Sequence, residues 1–188
     1  MQHSFRTALF CSIGLFFAAS LFAQKAFLLQ QNASGSPARL KWGGLEQYRQ
    51  KNSKKGKTLV SIYTDWCGWC NKMETETFTD PGIAGYLSAN YQLLRFNAEQ
   101  TGEVEFNGRT YGQIRIGNRL YSELAYTLLN GRMAFPALVF LNEDLQVIQV
   151  IPGFKTPQEL WPILVYFGSD EYKVKPWPAF QKAFKMPE

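Results

Sequence analysis

Thr58-Leu59-Val60-Ser61-Ile62-Tyr63-Thr64-Asp65-Trp66-Cys67-Gly68-Trp69-Cys70 is the stretch that decides the fold. Its first six residues, rich in β-branched and aromatic side chains, predict a buried strand. The cysteines that follow predict the start of a helix. At this spacing Cys67 can sit at the helix N-terminus and Cys70 one turn in, close enough for a disulfide with little backbone movement. Partial positive charge on the unpaired N–H groups of that turn favours thiolate at Cys67, while Cys70, further in, is less exposed. The two thiols can then divide a redox task, Cys67 attacking a partner disulfide and Cys70 resolving the mixed disulfide.

A Cys-x-x-Cys pair also serves as half of a metal site, and a closed zinc site needs four ligands. The remaining Cys and the single His are Cys11 and His3, both in the N-terminal segment. Two soft ligands remain. Structural zinc is excluded on this count, no metal site is assigned, and copper(I) is the one conceivable metal.

That N-terminal segment reads as an export signal. Arg6 precedes an apolar run from Ala8 to Ala23 that is short for a membrane span, and Ala23 before Gln24 offers a small residue for cleavage. Leu21, three positions before the cut, is larger than usual, so an uncleaved anchor is the competing expectation. Neither leaves the domain in the cytosol, and cleavage leaves no stable membrane span. The expected organisation is a signal peptide over 1–23, a Ser/Gly/Asn-rich lead-in over 24–41, one domain over 42–170 and a tail over 171–188. Removing the signal leaves 165 residues, enough for one domain with a substantial core. Trp177, Phe180 and Phe184 predict a short packed helix in the tail.

The formal net charge is +5. Its basic residues cluster around Lys51 to Lys57 and in the tail, as solvated faces do, and aromatics do not alternate with arginines, so nucleic-acid binding is not expected. Further along, Leu45 to Lys54 reads as a helix. Asp80-Pro81 reads as an N-cap and first helical residue for a helix through Leu87, and Tyr91 to Phe96 as a strand. Asn107-Gly108 between two short β-rich runs predicts a hairpin. Leu120 to Asn130, apolar at 120, 124, 128 and 129, predicts a helix closed by Gly131. Phe135 to Leu141 and Leu145 to Ile151 predict paired strands, and Thr156-Pro157-Gln158-Glu159 a capping box that opens a helix through Phe167. This order implies an α/β fold with a central mixed sheet covered on both sides.

With Trp66-Cys67-Gly68-Trp69-Cys70 after the first core strand, Phe135-Pro136 opening a later strand, and Pro152-Gly153 after the next, the sequence resembles the thioredoxin superfamily over Leu45 to Phe167. Within it the likeness is to secreted thioredoxin-like proteins of Gram-negative bacteria, including the C-terminal domain of DsbD-type reductases, whose motif also begins Asp-Trp-Cys. The resemblance implies a thioredoxin-like fold with a hairpin-bearing insert, about Gly102 to Arg119, before the proline-led strand. It implies that Cys67 and Cys70 form the redox-active disulfide. It further implies a cis peptide bond at Pro136 and a substrate groove bordered by Trp66, Gly68, Trp69, Phe135, Pro136 and Gly153. Where thioredoxins carry a buried aspartate on the first core strand, this chain has Ser61. A hydroxyl cannot serve as a carboxylate base near neutral pH.

Oxidases of this superfamily usually place His between the cysteines; Gly68-Trp69 supplies no such charge, which points to a reductant. The resulting expectation is an exported thiol-disulfide oxidoreductase, reducing in direction, with no cofactor. Its partners are protein disulfides and a membrane electron donor of the DsbD or CcdA type. The alternative is a noncatalytic binding module or a copper(I) carrier using the same thiols.

Overall fold

The computed structural model describes residues 40–45 and 56–186. The segment expected to be an export signal, nearly all of the expected lead-in, and the expected helix beyond Leu45 lie outside the described residues. Thr58–Tyr63 forms β1, and the cysteine motif begins a short helix, α1, Gly68–Lys72. A wider helical turn over Met73–Thr77 follows, closed by the Phe78 N–H donating to the Met73 carbonyl at 3.0 Å. Helix α2 is Pro81–Asn90, with the Asp80 carboxylate accepting from the Ile83 N–H at 2.9 Å and Pro81 at its first position. β2 is Gln92–Asn97.

The remaining elements of the main sheet are β7 (Ala137–Leu141) and β8 (Val147–Pro152), in the strand order β2-β1-β7-β8. β1 runs parallel to β2, with Val60 opposite Leu94, and antiparallel to β7, with Val60 opposite Val139. The parallel pair needs the crossover that α1 and α2 supply; the antiparallel pair β7 and β8 needs only the turn at Asn142 to Gln146. Alternation along β1 divides the core. Val60 and Ile62 face Phe96, Val139 and helix α3 (Glu123–Leu128), whereas Leu59 faces Met73, Phe140, α2 and α4 (Pro157–Gly168). α4 opens with the full capping box: the Thr156 N–H donates to Glu159 at 2.8 Å and the Glu159 N–H to the Thr156 hydroxyl at 3.3 Å. In the tail, α5 (Trp177–Ala183) buries Phe180 against Tyr166.

The insert departs from the expectation in extent. Asn107-Gly108 does turn a hairpin, β3 (Val104–Phe106) against β4 (Arg109–Tyr111), with positive φ at both turn residues. A second hairpin follows, β5 (Gln113–Ile116) against β6 (Arg119–Ser122), turned at Gly117-Asn118. The helix expected from Leu120 therefore starts only at Glu123, with Ser122 as its N-cap. Leu120 matched the helical spacing of the apolar positions, yet it is exposed on a strand, while Leu124, Leu128 and Leu129 are buried. Neither hairpin joins the main sheet. Both plug its side chains, Val104, Phe106, Tyr111 and Tyr121, into the core face occupied by α3.

Candidate active site

β1 delivers the chain to Thr64, whose carbonyl accepts from the Cys67 N–H at 3.2 Å and so sets the tight entry into α1. Cys67 is the N-cap of that helix, and its sulfur accepts the Cys70 N–H at 3.1 Å. That first-turn amide is thus shared between the Cys67 sulfur and the Cys67 carbonyl, which also accepts it at 3.1 Å. Cys67 and Cys70 are joined in a disulfide with Cα atoms 5.2 Å apart, and each is buried. Gly68 leaves the surface between them open, since a Cβ there meets nothing within 4 Å.

The Phe135-Pro136 peptide bond is cis. The Pro136 carbonyl accepts from the Gly153 N–H at 2.7 Å, so the loop after β8 is tied to the loop before β7, and Gly153 adopts φ 79° there. Phe135 lies edge-on to Trp66, ring centroids 6.0 Å apart. Through that contact the proline-led segment and the cysteine segment, about seventy positions apart in sequence, become neighbours.

Two tryptophans flank the cysteines on the surface, Trp66 with 53% and Trp69 with 59% of its area exposed. The Trp66 indole N–H donates to Glu99 at 2.9 Å, and the Arg119 guanidinium stacks on its ring at 4.3 Å while donating to the other Glu99 oxygen at 2.9 Å. Trp69 lies against Phe154 at 5.5 Å, and the Lys72 ammonium sits about equally over both rings, at 5.3 and 5.2 Å.

Ser61 is buried on the Leu59 side of β1, and its register partners are Arg95 on β2 and Leu138 on β7. Arg95 stacks on Tyr63 at 4.2 Å and pairs with Glu74 at 3.6 Å. Sequence reasoning singled out neither Glu99, Arg119, Tyr121, Lys72 nor Phe154 for the site. A signal was present for two of them. Phe154 follows Pro152-Gly153 directly, and the alternation Gln113-Ile114-Arg115-Ile116 before Gly117-Asn118 is a hairpin pattern that places Arg119 at the return of the turn.

Fold and site define a thioredoxin-like α/β domain that carries a Cys-x-x-Cys disulfide at a helix start and a cis peptide bond at Phe135-Pro136. The sequence model of the thioredoxin-like domain family matches residues 45–168, and the chain belongs to that family. Among solved structures it is similar to a thioredoxin-fold protein from Helicobacter pylori, at 13% identity and a TM-score of 0.51 over 69% of this chain and 80% of that one. It is also similar to a thioredoxin from Thermus thermophilus, at 16% identity and a TM-score of 0.50 over 80% of this chain and 99% of that one. At these identities the likeness is one of fold. No curated protein matches the chain in sequence.

Proposed function

We propose that the protein is an exported thiol-disulfide oxidoreductase that reduces protein disulfides. The observation that carries this reading is the Cys67 sulfur at the N-cap of α1, disulfide-bonded to Cys70 and hydrogen-bonded by its amide. The dithiol form is the working reductant. The Cys67 thiolate attacks one sulfur of a substrate disulfide; a new S–S bond forms, the substrate S–S bond breaks, and one substrate thiolate leaves and takes a proton. Cys70, having lost its proton, then attacks the Cys67 sulfur, releasing the second substrate thiol and closing the Cys67–Cys70 disulfide. Two electrons and two protons have passed to the substrate.

Gly68 and Trp69 bring no cation between the cysteines, which supports the reducing direction. The disulfide must then be reopened by a dithiol donor, and in an oxidising compartment that donor is a membrane reductase of the DsbD or CcdA type. The export signal over 1–23 supports this compartment, and no helix among the described residues is long and apolar enough to cross a membrane. Trp66, Phe135, Pro136, Gly153 and Trp69 border the groove that receives an extended substrate.

Replacement of Cys70 with Ala tests the mechanism: substrates accumulate as mixed disulfides on Cys67, and a variant that traps nothing under turnover conditions removes the proposal. Equilibration with glutathione tests the direction. A potential as oxidising as that of a disulfide-forming enzyme reverses it.

A further inference from the structure

The insert ends in a strand whose alternate side chains reach both the cysteine segment and the proline segment. Arg119 and Tyr121 are two positions apart on β6 and therefore project from one face. Arg119 stacks on Trp66 at 4.3 Å, and Tyr121 packs on Phe135 with centroids 6.1 Å apart. Trp66 and Phe135 touch one another at 6.0 Å, so the four side chains close a ring that links the cysteine segment, the proline segment and the insert. The strand is itself anchored where it needs to be. The Ser122 N–H donates to the Ala98 carbonyl at 2.8 Å, one residue before Glu99, and Glu99 divides its oxygens between the Trp66 indole and Arg119.

We infer that β6 braces the groove, and that Arg119 is a positioning residue that holds Trp66 in place for binding protein disulfides. The inference rests on the exchange reaction proposed above. A half-exposed indole free to rotate must be ordered each time a polypeptide docks, and that ordering opposes binding. Here the ring is fixed in advance from three directions: Glu99 at the N–H, Phe135 at the edge and Arg119 on the face. Arg119 is the link that only the insert supplies. Glu99 is three-quarters covered, with both oxygens engaged, whereas Arg119 keeps half of its surface exposed, so the planar guanidinium roofs the ring without closing the site. A lysine at the same position keeps the charge for Glu99 and loses the planar stack.

The test pairs Arg119→Gln with Trp66→Ala and the double variant, using insulin as the protein substrate. Arg119→Gln raises KM for insulin about threefold to fivefold with a smaller change in kcat, Arg119→Lys recovers part of the loss, and in the Trp66→Ala background Arg119→Gln adds nothing. An equal loss in both backgrounds, or no loss in the parent, overturns the inference. The Trp66 indole N–H, followed by nitrogen-15 NMR, gives a readout independent of turnover: its exchange with water rises several-fold in Arg119→Gln. An unchanged exchange rate overturns the bracing role even where the variant is less active. If the parent shows the protected indole but reduces no disulfide, it is the exchange reaction that has failed, not the brace.

Discussion

The two ends of β1 use polar groups in opposite ways. Before its first residue stands Lys57, 7% exposed, whose ammonium donates to the Gly168 carbonyl at the end of α4 at 2.9 Å and pairs with Asp170 at 2.8 Å. Beside it the buried Tyr91 hydroxyl donates to the Leu164 carbonyl at 2.7 Å, and burial holds that phenol well above the ordinary range. After its last residue stand Trp66 and Trp69, each more than half exposed around a buried disulfide. One end is closed, with its helix-terminal carbonyl satisfied by a cation. The other keeps large rings in water and fixes them by contacts with Phe135 and Phe154 and with Arg119, Glu99 and Lys72. The difference teaches where substitutions register: at the closed end in stability, at the open end in turnover.

Cys67→Ser is the largest predicted effect. Removal of the attacking thiolate lowers disulfide reduction by about three orders of magnitude or more, while the melting profile stays close to that of the reduced parent. An active Cys67→Ser would remove the open end as the working surface. Lys57→Met probes the opposite end. It leaves the Gly168 carbonyl unpaired and deprives Asp170 of one of its cations, and the expected cost is about 2 kcal/mol in denaturant unfolding. Activity per folded molecule is unchanged. A variant that lost specific activity without losing stability would break the division between the two ends.

The closed and open ends were not equally legible in the sequence. Strand β1 and the cysteine turn, the Asp80-Pro81 cap, the Asn107-Gly108 turn and the Thr156–Glu159 capping box are each written in a few adjacent residues, because local backbone chemistry decides them. The cis bond at Pro136 came from the family resemblance, since an isolated Phe-Pro step is more often trans. The second hairpin was hidden by a coincidence: Leu120 fits the helical spacing of Leu124 and Leu128 but belongs to the strand that precedes the helix. The brace of Arg119, Tyr121, Phe135 and Trp66 joins segments far apart in the chain, as does the Lys57–Gly168 contact. No short-range pattern encodes such pairs; the register of β6 and the length of α4 create them.

The open end can itself be divided. Trp66 is held by Glu99, Phe135 and Arg119; Trp69 leans on Phe154 and shares Lys72 with it. A ring fixed in advance contributes more to binding than one that must be ordered on contact. Trp66→Ala is therefore expected to lower kcat/KM for a protein disulfide about tenfold, and Trp69→Ala about threefold. Steady-state kinetics on insulin measure both. Equal losses would mean that the contacts around Trp66 hold a structure and not a binding surface.

The smallest effect concerns pH and belongs to the closed end. Hydrogen bonds from Lys173 and then Lys57 hold the Asp170 carboxyl below its ordinary range, against the opposing effect of burial. A carboxylate whose pKa is depressed on folding stabilises the folded state above its unfolded pKa of about 3.9, and that contribution is lost as pH falls through the lower folded value. Asp170 is nearly half exposed, so solvent screening keeps the effect small. Asp170→Asn should lower the melting temperature by about 2 °C between pH 5 and 7, and the gap to the parent should narrow below pH 4. Thermal melts across that range decide it. Asparagine tolerates the left-handed turn after α4, φ 64°, as well as aspartate does, so the variant changes charge and not backbone shape, and a gap that stays constant to pH 2.5 would show that the Asp170 charge is not its source.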